Sequence, residues 1–115
     1  MPNPVTHFEI ISKDAAKAQK FYADLFGWTV NADNPIQYGI VEGTEGGIGG
    51  GIAGSPDGQQ LLTFYVQVDD LQAYLDKAQK MGGKVVMPVT EIPGMVTFAQ
   101  FADPDGHVIG LVKSQ

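Results

Sequence analysis

His7 and Glu9 stand two residues apart in the run VTHFEII, an alternating stretch rich in β-formers. Residues two apart on a strand share a face, so an imidazole and a carboxylate are presented together. That pairing suits acid–base work or the orientation of a polar ligand. The plainer reading is that Glu9 accepts a hydrogen bond from a tyrosine or a backbone amide, as buried polar groups generally find partners. Sequence alone leaves both open. Phe8 and Ile10 point the other way, toward a following helix.

About 56 residues later the pattern returns. Phe8 answers to Phe64, Asp14 to Asp70, Gly27 to Gly83 and Val30 to Val86. In the second copy Phe64, Val66 and Val68 form the apolar face, leaving Thr63, Tyr65 and Gln67 on the face equivalent to that of His7 and Glu9. These five polar positions are the candidate ligand contacts. Trp28, Met95, Phe98 and Phe101 are candidates for an apolar wall, although aromatic residues on strands more often belong to a core. Met95 follows Pro93-Gly94, a loop that could close over a ligand or simply connect two strands. His107 directly follows a turn and is expected to satisfy that turn rather than to catalyse.

The elements that must position these residues follow from periodicity and punctuation. Val5 to Ile11 is a strand, and Asp14 caps a helix with Ala15, Ala18, Phe21, Tyr22 and Leu25 on one stripe. Gly27 closes that helix. Short strands are expected from Trp28 to Val30 and from Gln37 to Val41, separated by the turn residues Asp33-Asn34-Pro35. The second copy runs from the strand Leu61 to Val68 into a helix capped by Asp70. Leu71, Tyr74, Leu75, Ala78 and Met81 form its stripe, and Gly82-Gly83 ends it. Three strands follow, near Lys84 to Met87, Met95 to Phe101 and His107 to Lys113. Asp103-Pro104-Asp105-Gly106 has the proline and glycine placement of a type I turn between the last two. The order is βαβββ, twice, with module one at about 1–57 and module two at about 58–115 of a single 1–115 domain.

Between the modules, residues 46–54 read GGIGGGIAG, six glycines in nine positions. Gly49, Gly51 and Gly54 match the spacing of a dinucleotide fingerprint, but that motif must open a helix. Here Ser55-Pro56-Asp57-Gly58 makes a turn toward a strand, so the dinucleotide reading fails. A thin strand permitting close approach of a ligand or another backbone remains, beside a flexible loop.

Taken in order, Phe21-Tyr22, Leu25-Phe26-Gly27-Trp28 and Asp103-Pro104-Asp105-Gly106 resemble the vicinal oxygen chelate superfamily of glyoxalases, extradiol dioxygenases and bleomycin-resistance proteins. The resemblance covers essentially the whole chain. It implies an α+β fold in which paired βαβββ modules curl a mixed eight-stranded sheet around a cavity, commonly in a homodimer. It also implies a divalent metal held by one residue on the first and one on the last strand of each module. Those positions fall on His7, Thr63, Gly110 and one of Gly49, Gly50 or Gly51. Only His7 is a metal-binding side chain of the family's kind, and a catalytic divalent site usually needs three protein ligands. The usual metal is therefore not expected, and no other cofactor is implied. A substituted site using His7, Glu9 and Glu42 would be an unusual alternative.

Composition narrows the partners. The chain has 115 residues, a net charge of −6, seven lysines as its only Lys or Arg residues, and no cysteine. A nucleic-acid surface needs a basic face, which this sequence does not supply. Without cysteine there is no disulfide, thiolate ligand or thiol nucleophile. No apolar run reaches membrane-spanning length, and the first residues lack the apolar core of a secretory signal, so a cytoplasmic protein is expected. The acidic field suits a cationic small molecule, though it also serves solubility. Three functions follow: a small-molecule binder or enzyme of this superfamily without its metal, a metal-dependent lyase or dioxygenase with substituted ligands, and a non-catalytic interaction subunit. Whether the chain is an enzyme stays open at this stage, as does the ligand.

Overall fold

The computed structural model describes residues 2–114. Among them, eight strands and two helices form an α+β fold that repeats one plan twice. The first plan comprises β1 (Val5–Ser12), α1 (Ala15–Phe26), β2 (Val30–Asn31), β3 (Gly39–Val41) and β4 (Gly49–Gly54). The second comprises β5 (Leu61–Val68), α2 (Leu71–Lys80), β6 (Lys84–Ile92), β7 (Val96–Ala102) and β8 (Val108–Lys113). Two compact units result. One is His7–Thr63, and the other joins Phe64 onward to the residues preceding His7.

In the His7–Thr63 unit β1 pairs parallel with β4, β4 antiparallel with β3, and β3 antiparallel with β2. In the second unit β5 pairs parallel with β8, β8 antiparallel with β7, and β7 antiparallel with β6. The duplicated sequence thus produces the same mixed strand order in each copy. The N-terminal residues are tied into the second unit, where Gln67 N donates to the Pro4 carbonyl at 2.9 Å and Asn3 Nδ2 donates to Tyr74 Oη at 2.9 Å.

Both helices start as their caps dictate. Asp14 Oδ1 accepts from Lys17 N, and Asp70 Oδ1 accepts from Ala73 N, each at 3.1 Å. Gly27 ends α1 in the left-handed region at φ 71°. The end of α2 differs slightly from expectation: Met81 is its C-cap, and the left-handed conformation falls on Gly82 at φ 98°. The helices also differ in burial. α2 buries Leu71 and Leu75 in a cluster with Val68, Ala99 and Leu111, whereas no residue of α1 is fully buried.

Two strand expectations change. β6 runs on through Pro88 to Ile92 instead of stopping near Met87. Within its unit it pairs only with β7, and the register shifts along that pairing. A strand bonded on one side can absorb a proline with no N–H to offer. The expected strand from Trp28 to Val30 is reduced to Val30–Asn31. The glycine-rich tract does form a strand, β4, with Gly50, Gly51 and Ile52 buried.

Candidate functional site

In the His7–Thr63 unit, β1 and β4 lie in parallel register with His7 opposite Gly49, Phe8 opposite Gly50 and Glu9 opposite Gly51. Alternation then separates two environments. On the helix side the Phe8 ring lies across Gly50, where an added Cβ would collide with it. Trp28 joins that side, its ring centroid 5.3 Å from Phe8, 5.9 Å from Tyr22 and 5.1 Å from Phe26. Trp28, one of the candidates for an apolar wall, thus packs among the aromatic side chains of α1.

On the opposite face Glu9 is buried and His7 half-buried. The residue joining them is Tyr38, which precedes β3. Its hydroxyl donates to Glu9 Oε2 at 2.9 Å and lies 2.8 Å from His7 Nε2. The phenol ring occupies the space above Gly51, and any Cβ at that position would run into it. Glycine in β4 is therefore what allows Tyr38 to reach Glu9. Burial holds the His7 imidazole below its usual pKa, which favours the neutral ring near neutral pH.

The loop before Tyr38 fixes the phenol from the backbone side. Asn34 Oδ1 accepts from Tyr38 N at 2.9 Å, and Asn34 Nδ2 donates to the Tyr38 carbonyl at 2.7 Å. Gln37 adopts φ 55°, the one non-glycine residue with positive φ among those described. A left-handed glutamine carries a steric cost that the surrounding bonds must offset. Sequence reasoning missed Tyr38. The available signal was a tyrosine following Asp33-Asn34-Pro35, at the head of a strand that neighbours a glycine tract with space to fill.

The second unit repeats the theme with different chemistry. Tyr65, in the position equivalent to Glu9, pairs with Gly110 on β8. Its ring is buried and lies across that glycine, again where a Cβ would collide. Tyr65 Oη accepts from Gln100 Nε2 at 2.9 Å, and its ring meets Phe98 edge-on at 6.3 Å. Gln67 is half-buried, and Thr63, the last residue of the His7–Thr63 unit, is buried. Phe101, another candidate wall residue, packs against the Leu71–Leu75 cluster of α2, on the face of β7 opposite Phe98 and Gln100. Met95 is half-buried and borders an open depression of about 240 Å³ with Ile92, Val96, Val112 and Lys113. Tyr65 and Gln100 do not line it.

Metal-ligating groups gather at one place among the described residues. Asp103, Asp105 and His107 bring ligand atoms within 4.8 Å of one another. The DPDG turn accounts for this arrangement. Asp103 Oδ1 accepts from the backbone N–H of Asp105 and of His107, both at 2.9 Å, and the His107 ring lies 3.0 Å from Asp103 Oδ2. The backbone bond from His107 is the first cause of a lowered Asp103 pKa. His107 itself is exposed, in keeping with a turn-satisfying role. Glu42 is not gathered with His7 and Glu9 into a three-ligand cluster.

Comparisons with known proteins agree with this architecture. The sequence profile of the glyoxalase/bleomycin resistance protein/dioxygenase superfamily matches residues 5–111. The chain is 33% identical over 112 residues to a Mycobacterium tuberculosis protein named "Putative glyoxylase CFP32", covering 90% of this chain but only 42% of that protein. A glyoxylase-like domain-containing protein of Didymella fabae is 29% identical over 114 residues, covering 90% of this chain and 88% of its own length. The crystal structure of a superfamily member from Vibrio splendidus superposes with a TM-score of 0.64 at 18% identity, covering 98% of this chain and all of that one. With its duplicated βαβββ plan and a profile match over nearly its whole length, the chain belongs to the glyoxalase/bleomycin resistance protein/dioxygenase superfamily.

Proposed function

We propose that this chain is a small-molecule-binding member of the superfamily that works without the usual divalent metal, as a sequestering binder or as an enzyme relying on side chains alone. The observation that carries the reading is the tyrosine laid over a glycine in each unit. The register equates Gly51 opposite Glu9 with Gly110 opposite Tyr65. Both are last-strand positions at which the family resemblance calls for a ligand. Tyr38 and Tyr65 fill the space a ligating side chain would need. The remaining two positions hold one imidazole, His7, and one hydroxyl, Thr63.

This donor set does not fit the family's metal. A catalytic divalent ion asks for about three protein ligands and an open position, and neutral hydroxyls are poor substitutes for carboxylates around such an ion. The proposed site instead recognises its ligand through hydrogen bonds, with His7, Glu9 and Tyr38 as the polar centre of the first module. Thr63, Tyr65, Gln67, Trp28, Met95 and Phe101 are the further candidate contacts. We also expect a homodimer, for which a sedimentation velocity run at micromolar concentration is the check.

Elemental analysis of protein purified without chelator tests the metal-free reading. The expected result is far less than one equivalent of zinc, nickel, manganese or iron, unchanged in His7→Ala. Stoichiometric metal that disappears in His7→Ala would overturn it in favour of a substituted metal-dependent lyase or dioxygenase.

A further inference from the structure

Strand register in the second unit sets two rows of residues side by side. Tyr65 on β5, Gly110 on β8 and Gln100 on β7 form the first. Two residues along come Gln67, Val112 and Phe98. Alternation puts both rows on one face, away from α2, whose cluster takes Ala99 and Leu111 from the same strands. The rows are filled differently. In the first, the Tyr65 ring lies across Gly110 and its hydroxyl accepts from Gln100 Nε2, so the row is roofed over. In the second, a half-buried valine lies between the longer side chains of Gln67 and Phe98. Strands stand about 4.8 Å apart, which separates Gln67 from Phe98 by roughly 10 Å. A flat ring needs about 3.5–4.0 Å to the atoms on each of its faces. One ring therefore fits between the two walls with its edge on Val112.

The trough is stopped at one end by Tyr65. At the other it runs past Val112 into the depression of about 240 Å³ bordered by Met95, Val96, Ile92 and Ser114. Charge is kept off this stretch. Glu91 and Lys113 border the depression, but Lys113 is opposite Val68 of the α2 cluster and Glu91 is opposite Thr97, so register assigns both to the other face. Thr97 and Lys113 also border the hollow beside the start of α2. Among the described residues of β5 to β8, the charged one that register leaves on the trough face is Lys84, opposite Ala102 at the far end of β6.

We propose that this trough binds a flat, uncharged ring carrying a hydrogen-bond donor and acceptor side by side, as an aromatic carboxamide does. The inference deepens the small-molecule reading and rests on it. Phe98 supplies a ring wall, and its edge-on contact with Tyr65 at 6.3 Å fixes the closed end. The walls are polar without being charged. A glutamine carboxamide offers both a donor and an acceptor, so Gln67 answers a neutral group that carries both. Gln100, held by its bond to Tyr65, offers the same chemistry at the closed end. A carboxylate or an ammonium group entering the trough would shed water and meet no opposite charge, which is costly. The net charge of −6 draws cations toward the molecule at long range, but contact chemistry in the trough favours a neutral ligand.

The test uses the full chain, treated with chelator, and three probes of one shape: benzamide, benzoate and benzylammonium. Each is titrated at neutral pH while proton–nitrogen spectra follow the side-chain amide signals of Gln67 and Gln100. Benzamide should shift both signals and bind at least about tenfold more tightly than either charged probe, the factor expected when a charge loses its hydration without a partner. Gln67→Glu, which places a carboxylate in the wall at nearly constant shape, should reverse the order and make benzylammonium the tightest of the three. A charged probe that matches benzamide on the wild-type chain would overturn the proposal. So would benzamide binding that leaves both glutamine signals unmoved, no binding of benzamide at millimolar concentration, or an unchanged order in Gln67→Glu. Stoichiometric metal in untreated protein would remove the metal-free reading and leave this ranking standing, because the ranking is measured after chelation.

Discussion

Tyr38 ties the polar centre of the first unit together, and its hydroxyl has a calculable worth. Removing it takes a hydrogen bond from the buried Glu9 carboxylate. Losing one partner of a buried polar group costs about 1–3 kcal/mol. Tyr38→Phe should therefore lower stability by that amount in urea unfolding, while Tyr22→Phe, whose ring packs in the aromatic cluster beside α1, should change it far less. Equal effects would show that the hydroxyl of Tyr38 carries no special load. His7 adds a pH dependence. Burial sets its folded pKa below the unfolded value of about 6.5, so between those two values the unfolded chain binds more protons. Stability should be complete above about pH 6.5 and fall as pH drops from there toward the folded pKa. His7→Gln should flatten that segment of the profile, which separates it from the carboxylates of Asp57 and Asp103, whose lowered pKa values act in more acidic solution. A wild-type profile that stays level or rises on acidification through this window would refute the assignment. The His7–Glu9 pair was legible because strand alternation puts i and i+2 together. Tyr38 was not, because its reach to Glu9 spans 29 positions and depends on a loop conformation no local pattern encodes.

At the scale of elements, glycine in β4 and β8 is a packing requirement before it is a flexibility device. Gly50, Gly51 and Gly110 each have an aromatic ring where a side chain would start. Adding a methyl group beneath a buried ring is overpacking, which typically costs about 1–3 kcal/mol. Gly110→Ala should fall in that range by chemical denaturation, and Tyr65→Leu in the same chain should recover part of it because the ring is the obstacle. Additive losses from the two changes would mean that Gly110 serves something other than the Tyr65 ring. For Gly50 and Gly51 the sequence left two readings, a thin strand that a ligand or another backbone approaches closely and a flexible loop; a strand forms, and side-chain rings are what approach it. Helix starts were legible through Asp14 and Asp70 because a cap is local chemistry. The length of β6 was not, since Pro88 reads as a terminator unless the strand is known to lack a partner on that side.

For the whole molecule, the repeated sequence foretold a repeated topology, and both units carry it out with the same strand order. It did not foretell that the two copies would be unequally filled. The stripes of α1 and α2 look alike on a helical wheel, yet Phe21, Leu25 and Phe26 of α1 are each more than half exposed, while Leu71 and Leu75 of α2 are at most 4% exposed. Periodicity reports which residues share a face; it carries no information on how deeply that face sinks. The buried apolar cluster of Val68, Leu71, Leu75, Ala99 and Leu111 belongs to the second unit, and local opening free energy follows buried apolar contact. Amide hydrogen exchange should accordingly be slowest in α2 and in β7 and β8, which pack with it, and faster in α1 under the same conditions. Leu75→Ala, a large-to-small change at a residue only 1% exposed, should lower global stability by about 2–5 kcal/mol and narrow that difference. If the amides of α1 exchange as slowly as those of α2, something covers Phe21, Leu25 and Phe26 in solution. Repeating the exchange across a dilution series would then show whether that cover is a second copy of the chain, because protection supplied by self-association fades as protein concentration falls.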